Sequence, residues 1–214
     1  MTRFQLGGMR FRQIDVERSN ERSHDDDFLI MKNDAILRFY ESLRPHLPKT
    51  IMEIGMFEGG SLVYFDKLFR PTKLVGVDRR REPIPALEEY RKSHPHIETY
   101  YARFQDKAGV LQAAKRNFPD GIDLVVDDAS HLYAESKATF GMLFPLIRNG
   151  GHYVIERWCS QEWALQNDIS LENGRPGLVG KFVHELIEQL PQSLDIECVN
   201  VHTEAVCVRK SGRT

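Results

Sequence analysis

The segment TIMEIGMFEGGS, residues 50–61, decides the fold class. Its first five residues form a short run rich in β-branched side chains, which predicts a buried strand. Gly55 and Gly59 then let the backbone turn sharply and approach a ligand with no Cβ in the way. Ser61 can cap the helix that follows. The segment predicts a strand, a ligand-binding turn and a helix, and a tight turn without a ligand is the open alternative.

The rest of the chain repeats this alternation of short apolar strands and amphipathic helices. The pattern predicts β-α-β units, which form an α/β fold with a Rossmann-like, mostly parallel sheet and helices on both faces. Further strands are predicted at residues 73–77, 97–102, 122–127 and 152–155. Helices are predicted at residues 30–43, 61–69, 85–93, 107–117, 133–146 and 178–189. Two close apolar segments, residues 194–201 and 205–209, predict a C-terminal antiparallel hairpin.

The chain of 214 residues has the length of one domain. Residues 1–28 mix charged and polar side chains with isolated apolar ones, which predicts an N-terminal arm or lid that orders only against something else. We therefore expect the ligand-binding domain to span residues 29–214.

Charge and cysteine content narrow the partners and the compartment. The 29 Lys and Arg residues balance 31 Asp and Glu residues, so no global field attracts a nucleic acid. Cys159, Cys198 and Cys207 are too few for a disulfide framework and lack zinc-site spacing, which favours reduced thiols in the cytoplasm. No apolar run approaches the roughly 18 residues that span a bilayer. A small-molecule partner is expected, and a homo-oligomer stays open.

Asp78 ends the second predicted strand, at the sheet edge where ligands of parallel sheets bind. Its two acceptor oxygens suit the hydroxyls of a ribose, although capping a helix or pairing with Arg79 or Arg80 is an alternative. The glycine spacing after the first strand differs from G-x-G-x-x-G, the turn that holds a pyrophosphate at a helix N-terminus. The loop therefore suits a ligand without phosphates better than a dinucleotide.

Two later strand ends carry acids and an imidazole. The segment DLVVDDASH ends at His131 and contains Asp127 and Asp128, and the segment GGHYVIERW, residues 150–158, contains Glu156. These side chains are expected around one crevice, where a neutral imidazole can accept a proton and carboxylate oxygens can hold Mg²⁺. Strand-end caps for the two aspartates and a surface or capping role for the histidine are the alternatives.

With these motifs the chain resembles the class I S-adenosylmethionine-dependent methyltransferases. Their first motif has the form E/D-x-G-x-x-x-G, and their second strand ends in an acid. The resemblance implies that the glycine-rich turn lines the methionine part of the cofactor, and that Asp78 holds the ribose. The cofactor-binding residues that it implies are Glu53, Gly55, Gly59, Ser61, Asp78, Gln105, Asp106 and Asp127.

The two acid-bearing segments are similar to a particular branch, the macrolide-sugar and rhamnosyl O-methyltransferases with the relatives known as cephalosporin hydroxylases. That branch carries D-D-x-S-H and V-I-E-D, which implies that Asp128 and Glu156 are metal ligands and His131 the general base. Arg157 stands where the branch has its last acid. An arginine removes an oxygen ligand and adds a positive charge, so we expect weak or no Mg²⁺ binding. Arg157 then either neutralises Glu156 or binds an anionic substrate.

The residues after the fifth strand complete the hypothesis. Residues 157–177 lack a helical pattern and hold Trp158 and Trp163, which favours a substrate loop with Arg157 over a pair of core tryptophans.

The resemblance implies an S-adenosylmethionine-dependent O-methyltransferase of natural-product biosynthesis that acts on a hydroxyl of a small molecule such as a sugar. One rival, favoured by Arg157, is a relative that binds the cofactor without methyl transfer. The other is a nicotinamide-dependent oxidoreductase, which the glycine spacing disfavours.

Overall fold

The computed structural model of the protein describes residues 2–14, 21–103, 105, 108–158 and 179–212. The strands in these residues are β1 (Arg3–Leu6), β2 (Met9–Gln13), β3 (Asp27–Ile30), β4 (Thr50–Ile54), β5 (Lys73–Val77), β6 (Ile97–Tyr100), β7 (Ile122–Asp127), β8 (Ile147–Glu156), β9 (Ile196–Val201) and β10 (Ala205–Lys210). The α-helices are α1 (Asp34–Ser42), α2 (Gly60–Phe69), α3 (Pro85–Arg91), α4 (Ala108–Asn117), α5 (Tyr133–Leu143) and α6 (Val179–Gln189). None of the helices in this part of the chain combines the length and apolar composition that crossing a membrane requires.

The larger sheet has seven strands in the order β6-β5-β4-β7-β8-β10-β9. Strands β4 to β8 pair in parallel, and β10 is antiparallel to both β8 and β9. The chain places β5 and β6 on one side of β4, and β7 and β8 on the other. The topological switch point therefore lies between β4 and β7. Ligands of such sheets bind beyond the carboxyl ends of the strands at this point.

The predicted fold class is confirmed. Strands β1 to β3 were not predicted, and the helix predicted from residue 30 begins only at Asp34, because Ile30 belongs to β3 and Asn33 caps the helix. Strand β6 ends at Tyr100 rather than at residue 102, and β8 begins at Ile147, well before residue 152. Helix α5 ends at Leu143, and a short 3₁₀ helix follows. Pro145 lies in that turn and has no backbone N–H to continue the α-helical hydrogen bonds.

The described part of residues 1–28 folds against the domain. Strands β1, β2 and β3 form a three-stranded sheet. The rings of Phe4 and Phe11 meet the edge of Tyr64 in α2, and both Phe11 and Phe28 are buried. The partner against which this segment orders is thus the protein's own α2. A lid function for the segment stays a prediction.

Helix α2 is packed between the two sheets, and nine of its ten residues are buried. At its start, a Cβ on Gly60 would lie 2.0 Å from the carbonyl oxygen of Leu29, so β3 rests directly on the helix backbone. This close contact fixes the chain that leaves β3 beside the carboxyl end of β4. The residues between β3 and α1 are thereby brought to the switch point.

Candidate active site

A cavity of about 600 Å³ opens at the carboxyl ends of β4, β5 and β7. The predicted site residues that line it are Gly55, Ser61, Asp78, Gln105, Asp128 and Arg157. Others in the described part of the chain do not line it, namely Glu53, Gly59, Asp127, His131, Glu156 and Trp158. Asp106, Trp163 and most of the predicted substrate loop lie outside the described residues. Small-molecule sites have cavities of this size.

Gly55 joins the two strand ends at the switch point. Its φ is +90°, and a Cβ there would lie 2.1 Å from the carbonyl oxygen of Asp128. The Gly55 N–H donates to the Val77 carbonyl at 2.9 Å, and the Asp128 N–H donates to the Ile54 carbonyl at 2.9 Å. Glycine is therefore required here by the close approach of two loops of the protein, and its backbone faces the cavity as a consequence.

The residues at the start of α2 have roles that the sequence did not indicate. The prediction that Ser61 caps the helix is wrong, because Gly59 is the N-cap and no side chain caps the helix. The Ser61 hydroxyl donates instead to Glu53 Oε2 at 2.7 Å. Glu53 is fully buried, and burial raises the pKa of its carboxyl to about 8 despite the opposing charge of Lys32. Gly59 has φ +81°, and a Cβ there would contact Leu87 in α3.

Asp78 presents a half-buried carboxylate to the cavity at the end of β5. Its Oδ2 accepts the Met56 N–H at 2.8 Å, and its Oδ1 accepts the Arg80 N–H at 2.8 Å. The Arg80 guanidinium donates instead to Glu58, at 3.1 Å. Each carboxylate oxygen has a second lone pair. Asp78 is therefore fixed by backbone amides and still able to accept hydrogen bonds from a ligand in the cavity.

Gln105, which lines the cavity, forms a buried pair with Asp127, which lies behind it. Gln105 Nε2 donates to Asp127 Oδ1 at 2.6 Å, and Gln105 Oε1 accepts the Ser130 N–H at 3.1 Å. The Tyr153 hydroxyl donates to Asp127 Oδ2 at 3.0 Å. Burial raises the pKa of Asp127 to about 7. Asp127 thus holds Gln105 and the loop after β7 in place, and its predicted contact with a cofactor stays a prediction.

Lys32 is the site residue that the sequence analysis missed. Its ammonium lies among three carboxylates, with Nζ 2.5 Å from Glu156 Oε1, 3.0 Å from Asp128 Oδ2 and 3.6 Å from Glu53 Oε1. The side chain is 1% exposed, although it lines the cavity. Burial alone would lower its pKa, but the three carboxylates outweigh this and hold the pKa above its ordinary value. The only signal in the sequence is a lysine that follows the apolar run FLIM, residues 28–31.

Glu156 is buried at the end of β8 and receives two donors on one oxygen. Besides Lys32, the Tyr40 hydroxyl donates to Glu156 Oε1 at 2.5 Å. Its Oε2 has no hydrogen-bond partner in the described part of the chain. Burial, reinforced by the charge of Asp128, raises the pKa of Glu156 to about 7.

Arg157 forms an ion pair with Asp128 Oδ1. The guanidinium therefore contacts Asp128, and its charge also acts to lower the pKa of Glu156, the partner that the sequence suggested. The backbone at Arg157 is left-handed, with φ +49°, and its N–H donates to the Glu204 carbonyl at 2.7 Å. Burial would raise the pKa of Asp128, but Arg157 and Lys32 together hold it well below its usual range. Asp128 is therefore a carboxylate with a cation on each oxygen.

His131 stands behind Asp128, with Nε2 3.8 Å from Asp128 Oδ1. The imidazole is buried, and its backbone has φ +55°. Burial, together with the positive charge of Arg157, lowers the pKa of His131 to about 4. The imidazole is therefore neutral at pH 7, but it is a weaker base than an ordinary histidine.

Trp158 packs beside the sheet core, and its indole N–H donates to the His202 carbonyl at 2.9 Å. This contact ties the end of β8 to the β9–β10 turn. The predicted role of Trp158 in substrate binding stays a prediction.

The comparisons with known proteins agree with this geometry. Residues 52–156 match the model of a family described as a methyltransferase domain. The resemblance to methyltransferases that the motifs indicated is confirmed, and the match ends at Glu156.

Two of the similar relatives are named as sugar O-methyltransferases. The chain is 36% identical over 119 residues to the 8-demethyl-8-(2-methoxy-alpha-L-rhamnosyl)-tetracenomycin-C 3'-O-methyltransferase of Streptomyces olivaceus, a match that covers 52% of this chain and 28% of that enzyme. It is 29% identical over 134 residues to the rhamnosyl O-methyltransferase of Mycobacterium bovis, covering 55% of this chain and 49% of that protein. The chain thus spans half or less of the length of these relatives.

A solved methyltransferase structure shares the fold of this chain. It is the MycE methyltransferase of the mycinamycin biosynthetic pathway in complex with Mg and SAH, with a TM-score of 0.66 and 25% identity. The match covers 85% of this chain and 51% of that one.

Proposed function

We propose that the protein is an S-adenosylmethionine-dependent O-methyltransferase whose acceptor is a hydroxyl of a small molecule, with sugar-bearing natural products as the favoured class. The observation that carries the proposal is the cavity at the switch point, which is lined by Asp78, by Asp128 and by the Gly55 turn that joins them. The family match and the sugar O-methyltransferase relatives support the same proposal.

The donor set of the cavity fits S-adenosylmethionine. Asp78 offers a half-exposed carboxylate for a ribose diol, and the backbone of the Gly55 turn and Ser61 lines the adjoining wall. Gln105 also lines the cavity and suits the adenine of the cofactor. When bound, the cofactor supplies an electrophilic methyl group on its sulfonium. The turn after β4 has no G-x-G-x-x-G spacing, which disfavours a dinucleotide.

The acceptor hydroxyl must be oriented and must lose a proton. Asp128 lines the cavity and contacts the imidazole of His131 at 3.8 Å, so it lies between the cavity and the imidazole. In our proposal the Asp128 carboxylate accepts the hydrogen bond of the acceptor hydroxyl, and the proton passes by way of Asp128 to neutral His131, which does not itself line the cavity. The low pKa of His131 keeps the base form present at all pH values above about 5.

The proposal extends to the domain organisation, the cellular location and the partner of the protein. We assign residues 29–214 to the cofactor-binding domain and residues 1–28 to a cover over α2. A cytoplasmic location fits the free thiols of Cys198 and Cys207. The near-zero net charge of -2 favours a small-molecule partner over a nucleic acid.

The test is methyl transfer from labelled S-adenosylmethionine to a panel of rhamnosylated and other glycosylated acceptors. Label in an acceptor, lost in Asp128→Asn, supports the proposal. Cofactor binding without transfer to any acceptor supports the non-catalytic rival. Binding of NAD in place of S-adenosylhomocysteine supports the oxidoreductase.

A further inference from the structure

Three parallel strands direct their terminal acids to a single point. Glu53 is in β4, Glu156 ends β8, and Asp128 follows β7. Their side chains are 0%, 0% and 8% exposed. Buried carboxylates that converge without a cation would repel one another and lose hydration. The cation at this point is the ammonium of Lys32.

Lys32 is held in place by the protein around it. Its Nζ lies 5.7 Å from the centre of the Tyr40 ring and 5.5 Å from that of Phe65, so two neighbouring aromatic rings pack against one side of the ammonium. Gln13, in β2, donates to the Lys32 carbonyl at 3.0 Å and to Asp34 at 2.9 Å. The small N-terminal sheet and α1 therefore fix the backbone from which the ammonium reaches the three acids.

The donor set does not fit Mg²⁺, which the solved structure of the relative holds. Magnesium requires about six oxygen ligands in near-octahedral geometry at roughly 2.0–2.1 Å. Here Lys32 and Tyr40 already donate to Glu156 Oε1, and Lys32 takes Asp128 Oδ2. Arg157 takes the other oxygen of Asp128. A dication at this point would have to displace a buried ammonium and lie beside a guanidinium.

We propose that Lys32 is a built-in cation that takes the place of a divalent metal at the carboxylates of Glu53, Asp128 and Glu156. The ammonium pairs with ionised Asp128 and orients the other two acids, and the site binds no Mg²⁺. One consequence, that methyl transfer needs no divalent metal, rests on the proposed function. The binding part of the inference stands without it.

The test uses Mn²⁺ as a paramagnetic probe and Mg²⁺ as a stabilising ligand. Electron paramagnetic resonance should detect no protein-bound Mn²⁺ in the wild type, and millimolar Mg²⁺ should leave its Tm unchanged. Lys32→Met should lower the Tm by roughly 10 °C, because three buried acids lose their cation. The double variant with Lys32→Met and Arg157→Asp restores an oxygen ligand, and Mg²⁺ should raise its Tm by roughly 5 °C or more.

Matched variants keep the result interpretable. Arg157→Asp alone retains Lys32 and should gain no Mn²⁺ binding, and Lys92→Met, on an exposed lysine paired with Glu89, should behave as the wild type. Tight Mn²⁺ binding by the wild type, which can be measured even if a variant does not fold, would overturn the proposal. Binding by Arg157→Asp alone, or a double variant that Mg²⁺ does not stabilise, would also overturn it. Inactivity of a wild type that binds no metal would count against the proposed function only.

Discussion

The two ends of the cavity are built in different ways. At the Asp78 end, backbone amides fix a half-exposed carboxylate, and its partners Met56 and Arg80 are 22 and 2 residues away in the chain. At the Lys32 end, buried charges fix one another, and the partners Asp128 and Glu156 are 96 and 124 residues from the lysine. The first end is set by local turns and the second by the completed fold. Substitutions should therefore affect ligand binding at the first end and stability or turnover at the second.

The largest effect is expected where the two ends meet, at Gly55. Gly55→Val should lower the free energy of unfolding by about 4 kcal/mol, because its Cβ would collide with the Asp128 carbonyl and φ is +90°. Gly8→Val is the matched control, since Gly8 also has a positive φ but has no atom within 4 Å of an added Cβ. Chemical denaturation measures both. Equal losses of unfolding free energy in the two variants would show that the close approach of the two loops is not the cause of the destabilisation.

The next effect concerns the two histidines with depressed pKa values. Burial lowers the pKa of both His131 and His152 to about 4, but only His131 contacts Asp128. His131→Gln should lower turnover by roughly 10²–10⁴ with little change in cofactor affinity, whereas His152→Gln should leave turnover near that of the wild type. Single-turnover assays separate the two. A fully active His131→Gln variant would leave positioning alone as the mechanism.

The same histidines give a pH dependence with a definite sign. The unfolded chain binds protons at an imidazole pKa of about 6.5, whereas the folded chain binds them only near 4, so the folded state is favoured above pH 6.5. This contribution is lost as the pH falls from about 6.5 towards 4. The stability difference between wild type and His131→Gln should therefore shrink over that window. His131 should contribute no rise in turnover between pH 6 and 8, because the imidazole is already neutral, and a rise centred near 6.5 that His131→Gln abolishes would contradict the low pKa.

A smaller loss is expected from the hydroxyl that meets Glu156. Tyr40→Phe should destabilise the protein by roughly 1.5–3 kcal/mol, because a buried carboxylate loses a charge-assisted hydrogen bond. Tyr64→Phe is the control, since its hydroxyl donates to the Leu37 carbonyl at 3.3 Å and is worth only about 1 kcal/mol. Thermal unfolding of the two variants shows whether the hydrogen bond to Glu156 contributes more to stability than the hydrogen bond to the Leu37 carbonyl.

The smallest change in free energy is expected at the local end. Asp78→Asn should weaken S-adenosylhomocysteine binding by roughly tenfold, about 1.4 kcal/mol, while the fold persists. Asp123 is the matched control, because it also accepts two backbone amides, from Lys49 at 2.7 Å and Thr50 at 2.9 Å, and lies at the opposite end of β7. Asp123→Asn should leave the affinity unchanged. An unchanged affinity in Asp78→Asn would show that Asp78, at the end of β5, does not contribute to ligand binding.

The sequence predicted the local end of the site well. Strand, turn and acid are adjacent in the chain, so β4, β5 and Asp78 could be identified from apolar runs and glycines. It could not predict Lys32, whose position depends on β1–β3 packing over α2 and on pairing across the sheet. The misassigned cap at Ser61 has a local origin, because the N-cap is Gly59 and the Ser61 hydroxyl donates to Glu53, eight residues earlier. Charge pairs between residues that are far apart in the chain produce no periodic pattern in the sequence.

Calorimetric titration of S-adenosylhomocysteine into the wild-type protein in the presence of a chelator tests the central claim most directly. We expect saturable one-site binding whose affinity is unchanged when the chelator is replaced by millimolar Mg²⁺, because Asp78 holds the ligand and Lys32 supplies the charge that a metal would bring. Absence of binding under both conditions would contradict the cofactor assignment. Binding that appears only with Mg²⁺ would contradict the role given to Lys32.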